Sequence, residues 1–329
     1  MSDVASKLKV SELDFDAIKS NLKNFLGDQN ELADYNFDGS AMSVLMDLLA
    51  YNTHYNAFYL NMIVNEMFLD TASLRNSVVS RAKHLGYTPT SVRGAKAYVD
   101  LTITPANTPS TIVIEKDTQF NAVVNGISYT FSTSNSTTLN VNSNGVYTTA
   151  NVELQQGITL THRYSANVSD PDQRFILPNA NTDTSSLTVQ IQTSTTSSNL
   201  YTYSVANDTT TINSTANVYF LEEDTDSRYR VYFGDGTTGR ALTSGNIIIL
   251  KSLIADATAP NGARTFTPTS TVGGYSNVTV TTVSAASGGA DRDSISDIKF
   301  NAPRNYQAQN RAVTLNDYIR LVQRDYTDA

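Results

Sequence analysis

The chain has 329 residues, 40% of them hydrophobic, a formal charge of -8 and no cysteine. That length and apolar content can build real cores, while the absence of cysteine excludes disulfides, thiolate metal sites and a cysteine nucleophile. The negative balance argues against a phosphate-backbone partner, and no run reaches the ~20 apolar residues of a membrane span, so neither nucleic acid nor membrane is expected as a partner.

The first zone is helical. Asp14 is placed to cap a helix carrying Ile18, Leu22, Phe25 and Leu26, which Gly27 ends. After the polar stretch DQNELADYNFDG, Asp38 or Ser40 caps a helix expected to run to Leu69, about 30 residues and about 45 Å. Its large apolar residues recur around most of the circumference. Leu45, Leu48, Tyr55, Tyr59 and Met62 share one stripe, and Val44, Tyr51, Phe58 and Ile63 fall on neighbouring ones. A helix of this kind needs several neighbours, from its own domain or from another chain. Asn52, Asn56 and Asn61 interrupt it; they either face solvent or lend polar register to a bundle. Thr71 is expected to cap a third helix with Leu74, Val78, Ala82 and Leu85, closed by Gly86 and blocked by Pro89.

From Lys96 the period changes to two, as in Ala97-Tyr98-Val99-Asp100-Leu101-Thr102-Ile103, and Thr, Ser, Asn and Val dominate to about residue 285. Asn125-Gly126, Asn144-Gly145, Asp235-Gly236, Asn261-Gly262 and Gly273-Gly274 punctuate short runs, so antiparallel hairpins are expected. The Ser/Thr-rich tract 182–215 reads as edge strands rather than a linker, because Leu187, Val189 and Ile191 alternate, as do Tyr201, Tyr203 and Val205. Tyr229–Arg240 reads as a strand closed by a glycine turn. Val231 and Phe233 face one side and Tyr232 the other; Gly234 and Gly236 supply backbone freedom; Asp235 bonds turn amides, with Arg240 as its ion-pair partner.

After Gly288-Gly289 the composition turns helical again. Thr314 would cap a last helix, with Asp317 three residues on and Tyr318, Leu321 and Val322 as its apolar side. The sequence stops at Ala329 with that side uncovered, so a cut through a domain is expected, with a longer natural product or a companion chain. The class is α+β. A helical segment with a long aromatic-rich helix (1–92) precedes a mainly antiparallel β region (93–286, with an inserted β subdomain at about 130–228) and a truncated C-terminal α/β segment (287–329).

Chemistry-bearing patterns are scarce. His54, His84 and His162 do not stand at metal-ligand spacing, and neither GxSxG nor GxxxxGK[ST] occurs. Asp224 and Asp226 alternate as calcium ligands do, but the next alternate position is Arg228. Asp291 and Asp293 follow Gly-Gly in what reads as a solvated loop. Glu115, Glu153, Glu222 and Glu223 reveal no carboxylate pair in sequence. No catalytic, cofactor-binding or metal residue is expected, and no cofactor.

Four segments together resemble the baseplate J-like wedge proteins of contractile phage tails. They are LDFDAIKSNLKNFL (13–26), FDGSAMSVLMDLLAYNTHYNAFYLNMIVNEMFLDTASLRNSVVSRAKHLGYTP (37–89), VYFGDGTTGR (231–240) and GGADRDSISDIKFNAPRNYQAQNRAVTLNDYIRLV (288–322). The resemblance implies a structural, non-enzymatic subunit of the inner baseplate wedge in the virion, made in the host cytoplasm. It implies pairing with a second copy, a helical bundle with another wedge protein, and links between wedges around the hub, with sheath-initiator and central hub proteins as further partners. Leu45, Leu48, Tyr51, Tyr55, Phe58, Tyr59 and Met62 are the candidate interface, and Phe233, Gly234, Asp235, Gly236 and Arg240 the structural turn. The alternative from another class is a carbohydrate-binding or host-adhesion β module, to which a Thr-rich β region with surface tyrosines is suited.

Overall fold

The computed structural model describes residues 14–27, 40–107, 109–142, 144–170, 172–206, 212–308 and Tyr318. These fall into two compact units: one holds the described residues up to Tyr87 together with Ile295–Gln307, and the other is built on Thr88–Ser294.

The helical unit contains α1 (Phe15–Gly27), α2 (Ala41–Glu66), α3 (Arg75–His84) and α4 (Ile295–Ala308). The first two caps are as expected. Asp14 Oδ1 accepts the amides of Asp16 at 2.9 Å and Ala17 at 3.4 Å, and Ser40 Oγ accepts the Ser43 amide at 3.0 Å, each satisfying donors that a helix start leaves open. Asp38 lies outside the described residues, as do Thr314, Asp317, Leu321 and Val322 of the expected last helix.

The start of α3 departs from expectation, because α2 ends at Glu66 rather than Leu69. The Glu66 carboxylate then accepts the Ser73 hydroxyl at 2.7 Å, the Ser73 amide at 2.8 Å and the Leu74 amide at 3.2 Å. An acid from the preceding helix thus caps α3, and Thr71 does not: its hydroxyl donates to the Asn65 carbonyl at 2.7 Å. Leu74 becomes the N-cap residue and is half-exposed instead of lying in the helix face. Gly86 adopts φ +68° just past the C-terminus, as a terminating glycine does. Ala72 and, from α3, Val78, Val79 and Ala82 form a core with Ile298 and Ala302 of α4.

The other unit contains β1 (Lys96–Ile103), β2 (Thr111–Ile114), β3 (Gln119–Val124), β4 (Ile127–Thr133), β5 (Thr137–Asn140), β6 (Tyr147–Gln156), β7 (Ile158–Ser165), β8 (Phe175–Leu177), β9 (Thr182–Gln192), β10 (Leu200–Val205), β11 (Val218–Glu223), β12 (Tyr229–Phe233), β13 (Ile247–Ile254), β14 (Phe266–Pro268) and β15 (Val278–Ser287). One sheet runs β14-β3-β4-β6-β1-β15, a second runs β7-β13-β9-β10-β11-β12-β8, and β2 pairs β5. Neighbours are antiparallel except β10 and β11. Strand β1 shows the twofold pattern most clearly: Ala97, Val99, Leu101 and Ile103 are buried while the residues between them are half-buried. Asn125 and Gly126, both with positive φ, make the tight turn between β3 and β4.

The Ser/Thr-rich tract does form strands, β9 and β10, but they are not edges. Strand β9 lies between β13 and β10, and the edges are held by β7 and β8. Pairing Ile248 with Ile191 and Leu250 with Val189 buries the apolar half of β9, so its hydroxyl-rich half is the polar face of an interior strand.

The two sheets meet where β6 passes into β7 at Gly157. Its φ of +132° and the Ile254 carbonyl, 2.7 Å from where a Cβ would stand, admit only glycine. Beside this join Asp183 is fully buried. Its carboxylate accepts the Gly94 amide (3.0 Å), Gln155 Nε2 (3.2 Å), the Ser185 amide (3.0 Å) and the Ser185 hydroxyl (2.5 Å). Gln156 and Asp256 are joined reciprocally, side chain to side chain at 2.7 Å and amide to side chain at 2.9 Å.

Two outcomes follow from these contacts. Asp183→Ala strands buried donors and is expected to destabilise the β unit by about 3 kcal/mol, read from chemical unfolding followed by near-ultraviolet circular dichroism. For Glu66, burial alone would raise the carboxyl, but bonds from Ser73, Ser77 and Leu74 outweigh it and hold the group at about 2, against 4.5 for a free side chain. A depressed folded value means that this contribution is complete above pH 4.5 and lost as pH falls toward 2. Glu66→Gln should therefore flatten that segment of the helical unit's stability-versus-pH curve, measured by far-ultraviolet melting.

Candidate functional site

The described residues concentrate exposed apolar surface on α2. Between Ala41 and Asn65 this helix carries one acidic or basic charge, Asp47, and that charge is paired with Lys19 of α1 at 2.5 Å. The face turned into the unit is made of small or slender side chains. Ser43, Met46, Ala50, Ala57 and Asn61 are buried and His54 is half-buried, at spacings that hold one stripe of a helix. Small residues there let α1 approach closely, with Ile18 of α1 buried.

Two further stripes look outward, each advancing by alternate steps of four and three residues. Val44, Leu48, Tyr51, Tyr55, Phe58 and Met62 form the first and are 41–62% exposed. Leu45, Leu49, Asn52, Asn56, Tyr59 and Ile63 form the second, its apolar members 52–59% exposed. Alternating four- and three-residue steps are the heptad spacing of helix-to-helix seams. Along the surface Tyr51 and Tyr55 have ring centres 4.6 Å apart, and Tyr55 and Tyr59 6.3 Å apart. These contacts hold the aromatic rings in a tilted ladder instead of leaving them as free rotors.

All seven residues expected at an interface, Leu45, Leu48, Tyr51, Tyr55, Phe58, Tyr59 and Met62, lie on this outward surface, spread over both stripes. Leu49 belongs with them and was legible only as a heptad position. The asparagines divide. Asn61 is buried and donates to the Ala57 carbonyl at 2.9 Å, so it serves its own helix. Asn56 and Asn52 are exposed and bonded to each other at 2.7 Å.

The glycine turn is held by contacts of its own residues. Phe233 joins the core, with ring centres 5.8 Å from Phe175 and 5.5 Å from Tyr203. The Thr238 carbonyl comes within 2.2 Å of where a Cβ on Gly234 would stand, and Gly236 has φ +89°. Asp235 accepts the amides of Thr237 and Thr238 at 2.8 and 2.9 Å, and those bonds hold its carboxyl below the usual range. Arg240 is not its ion-pair partner. The Asp235 carboxylate is turned into its own loop, and the Arg240 guanidinium lies 5.8 Å over the Tyr201 ring.

Asp224, Asp226, Glu222 and Asp293 are engaged by protein groups. Arg228 pairs with Asp226 at 3.0 Å, and Arg230 bridges Glu222 at 2.9 Å and Asp224 at 3.3 Å. Asp293 accepts the Thr90 hydroxyl at 2.6 Å and amide at 3.0 Å. Among the described residues no group of three or more acidic or histidine side chains is gathered to hold a metal.

The site is therefore a helix surface. Residues 14–87, which contain it, match the family of the baseplate wedge protein gp6-like helical domain. Over 94% of its length the chain is similar, at 29% identity, to baseplate wedge protein gp6 of Enterobacteria phage T4, and it spans 49% of that relative. A chain in the cryo-electron-microscopy structure of the anti-feeding prophage baseplate aligns over 94% of this chain and 56% of its own, at 15% identity and a TM-score of 0.32.

The inward face gives a direct check. Ala50 is completely buried, so Ala50→Leu overfills the α1–α2 contact and should cost about 1–3 kcal/mol, measured as a shift of the denaturant midpoint of the helical unit.

Proposed function

We propose that the chain is a structural, non-catalytic subunit of the inner baseplate wedge of a contractile phage tail, carried in the virion. In this reading α2 enters a helical bundle with a second copy of the chain and a helix of another wedge protein, and the subunit links neighbouring wedges around the hub. The observation that carries the reading is the pair of adjacent heptad-spaced stripes on one uncharged outward surface. One stripe accommodates one helical neighbour, and two adjacent stripes accommodate two. The match of residues 14–87 to a wedge-protein helical domain supports the same assignment.

Energetics favour assembly. Covering a large apolar side chain contributes ~1.5–3 kcal/mol before ordering costs, so three or four of Tyr51, Tyr55, Phe58, Tyr59 and Met62 suffice for a stable contact. The tyrosine hydroxyls remain available to a wet rim.

The test is the double substitution Tyr55→Ala with Tyr59→Ala. Both side chains are half-exposed, so the isolated chain should fold as before, with its β-sheet circular dichroism unchanged. Co-purification with the wedge partners should disappear. Unimpaired incorporation of the variant into tails contradicts the proposal.

A further inference from the structure

Strand β7 is an edge with one side open. Ile158–Ser165 pairs with β13 without a register shift, and among the described residues no strand pairs with its other side. The phase of the ladder identifies the backbone groups left over. Ala166 continues the register and donates its amide to the Asn246 carbonyl at 2.9 Å. The bonded pairs are therefore those of Tyr164, His162 and Leu160, and Thr159, Thr161, Arg163 and Ser165 turn their N–H and C=O groups to the open side. Such a row is a template for a further strand. Neither a proline nor a bulge blunts it. Side chains mark its limits: Thr159 donates to Asp117 at 2.6 Å at one end, and the Tyr164 hydroxyl reaches the Ile176 carbonyl of β8 at 2.6 Å at the other.

The two faces beside this edge specify what fits. Ile158 and Leu160 lie on the face that carries the buried Ile248 and Leu250, yet they are 47% and 39% exposed. On the opposite face Arg163 and, from β13, Lys251 are exposed. Lys251 stands across from Thr161 in the register, which makes it the diagonal neighbour of Arg163. Neither cation is paired with an acid among the described residues, in a chain whose formal charge is -8. A second copy of β7 laid along the edge would bring another basic pair onto the same face, and like charges so placed oppose pairing. A segment with acids on one face and apolar side chains on the other meets both requirements.

We infer that the open edge of β7 is a docking site for an extended segment of another protein in which acidic and apolar residues alternate, its acids facing Arg163 and Lys251 and its apolar side chains covering Ile158 and Leu160. Main-chain bonds to Thr161 and Arg163 supply the attachment, and the cations select the sequence. This surface belongs to the β unit and does not rest on the assembly of α2.

The experiment uses the full chain and, as probe, a synthetic peptide of alternating glutamate and valine, with affinity read by fluorescence anisotropy and the site by amide hydrogen exchange. The peptide should bind, more weakly as salt rises, and should slow exchange of the Thr161 and Arg163 amides. Thr161→Pro deletes an amide that β13 does not use, so far-ultraviolet circular dichroism should persist while affinity falls about tenfold or more. Arg163→Glu with Lys251→Glu should lose the glutamate peptide and gain its lysine counterpart, a reversal that cations with a merely structural role would not produce. Should the proline variant unfold, the charge reversal decides alone. Failure of the wild type to bind the glutamate peptide, equal binding by the folded proline variant or by the charge-reversed one, or binding that leaves the Thr161 and Arg163 amides unprotected overturns the inference. So does a wild type that takes the lysine peptide as tightly as the glutamate one.

Discussion

Side-chain size on the two sides of α2 is the constraint around which the helical unit is organised. Toward the unit the helix presents Ser43, Ala50 and Ala57, so close that a single added branch at Ala50 has nowhere to go. Toward the outside it presents leucines, tyrosines, a phenylalanine and a methionine, all of which a solitary chain would bury if it had elements to spare. Large contiguous apolar surface on a folded unit marks a place where another macromolecule sits. With Asp47 drawn to Lys19, that surface also lacks the charges that would guide a partner electrostatically. Shape complementarity is what remains to choose one.

The β unit has the opposite character, since several of its acidic and amide side chains are spent internally. Asp183 is enclosed by four donors, Gln156 and Asp256 hold each other, Asp293 holds Thr90, and Asp235 closes its own turn. Satisfied networks of this kind rigidify a fold. Rigidity of this sort suits a part that bears load or holds geometry, in keeping with the structural role proposed.

Much of this could be read from the sequence where local physics decides. Asp14 and Ser40 cap because short oxygen-bearing side chains precede amphipathic runs, and the alternation of Ala97 to Ile103 names the buried face of β1 before any sheet is known. The turn at Asp235 was legible because an acid two residues before threonine amides, flanked by glycines, has one good use. What escaped was set by distant segments. Glu66 displaces Thr71 as the α3 cap only because α2 stops three residues early and turns its last acid toward Ser73. The Ser/Thr tract became interior because β13, some sixty residues on, lies alongside β9. Arg240 went to a tyrosine ring because Asp235 was already satisfied by amides. On α2 the residue types announced more apolar surface than one neighbour covers, but the division into an inward small-residue stripe and two outward ones needed α1 to show which side was already taken.

The central claim is that the outward surface of α2 is open in the free chain and covered in the assembled particle. Hydroxyl-radical footprinting of Tyr55, Phe58 and Tyr59, on isolated chain and on intact tails, measures it directly. The account predicts high reactivity at all three rings in the free chain and strong protection in the particle, with a surface residue such as Tyr201 as the internal reference. Equal reactivity in the two states would contradict it.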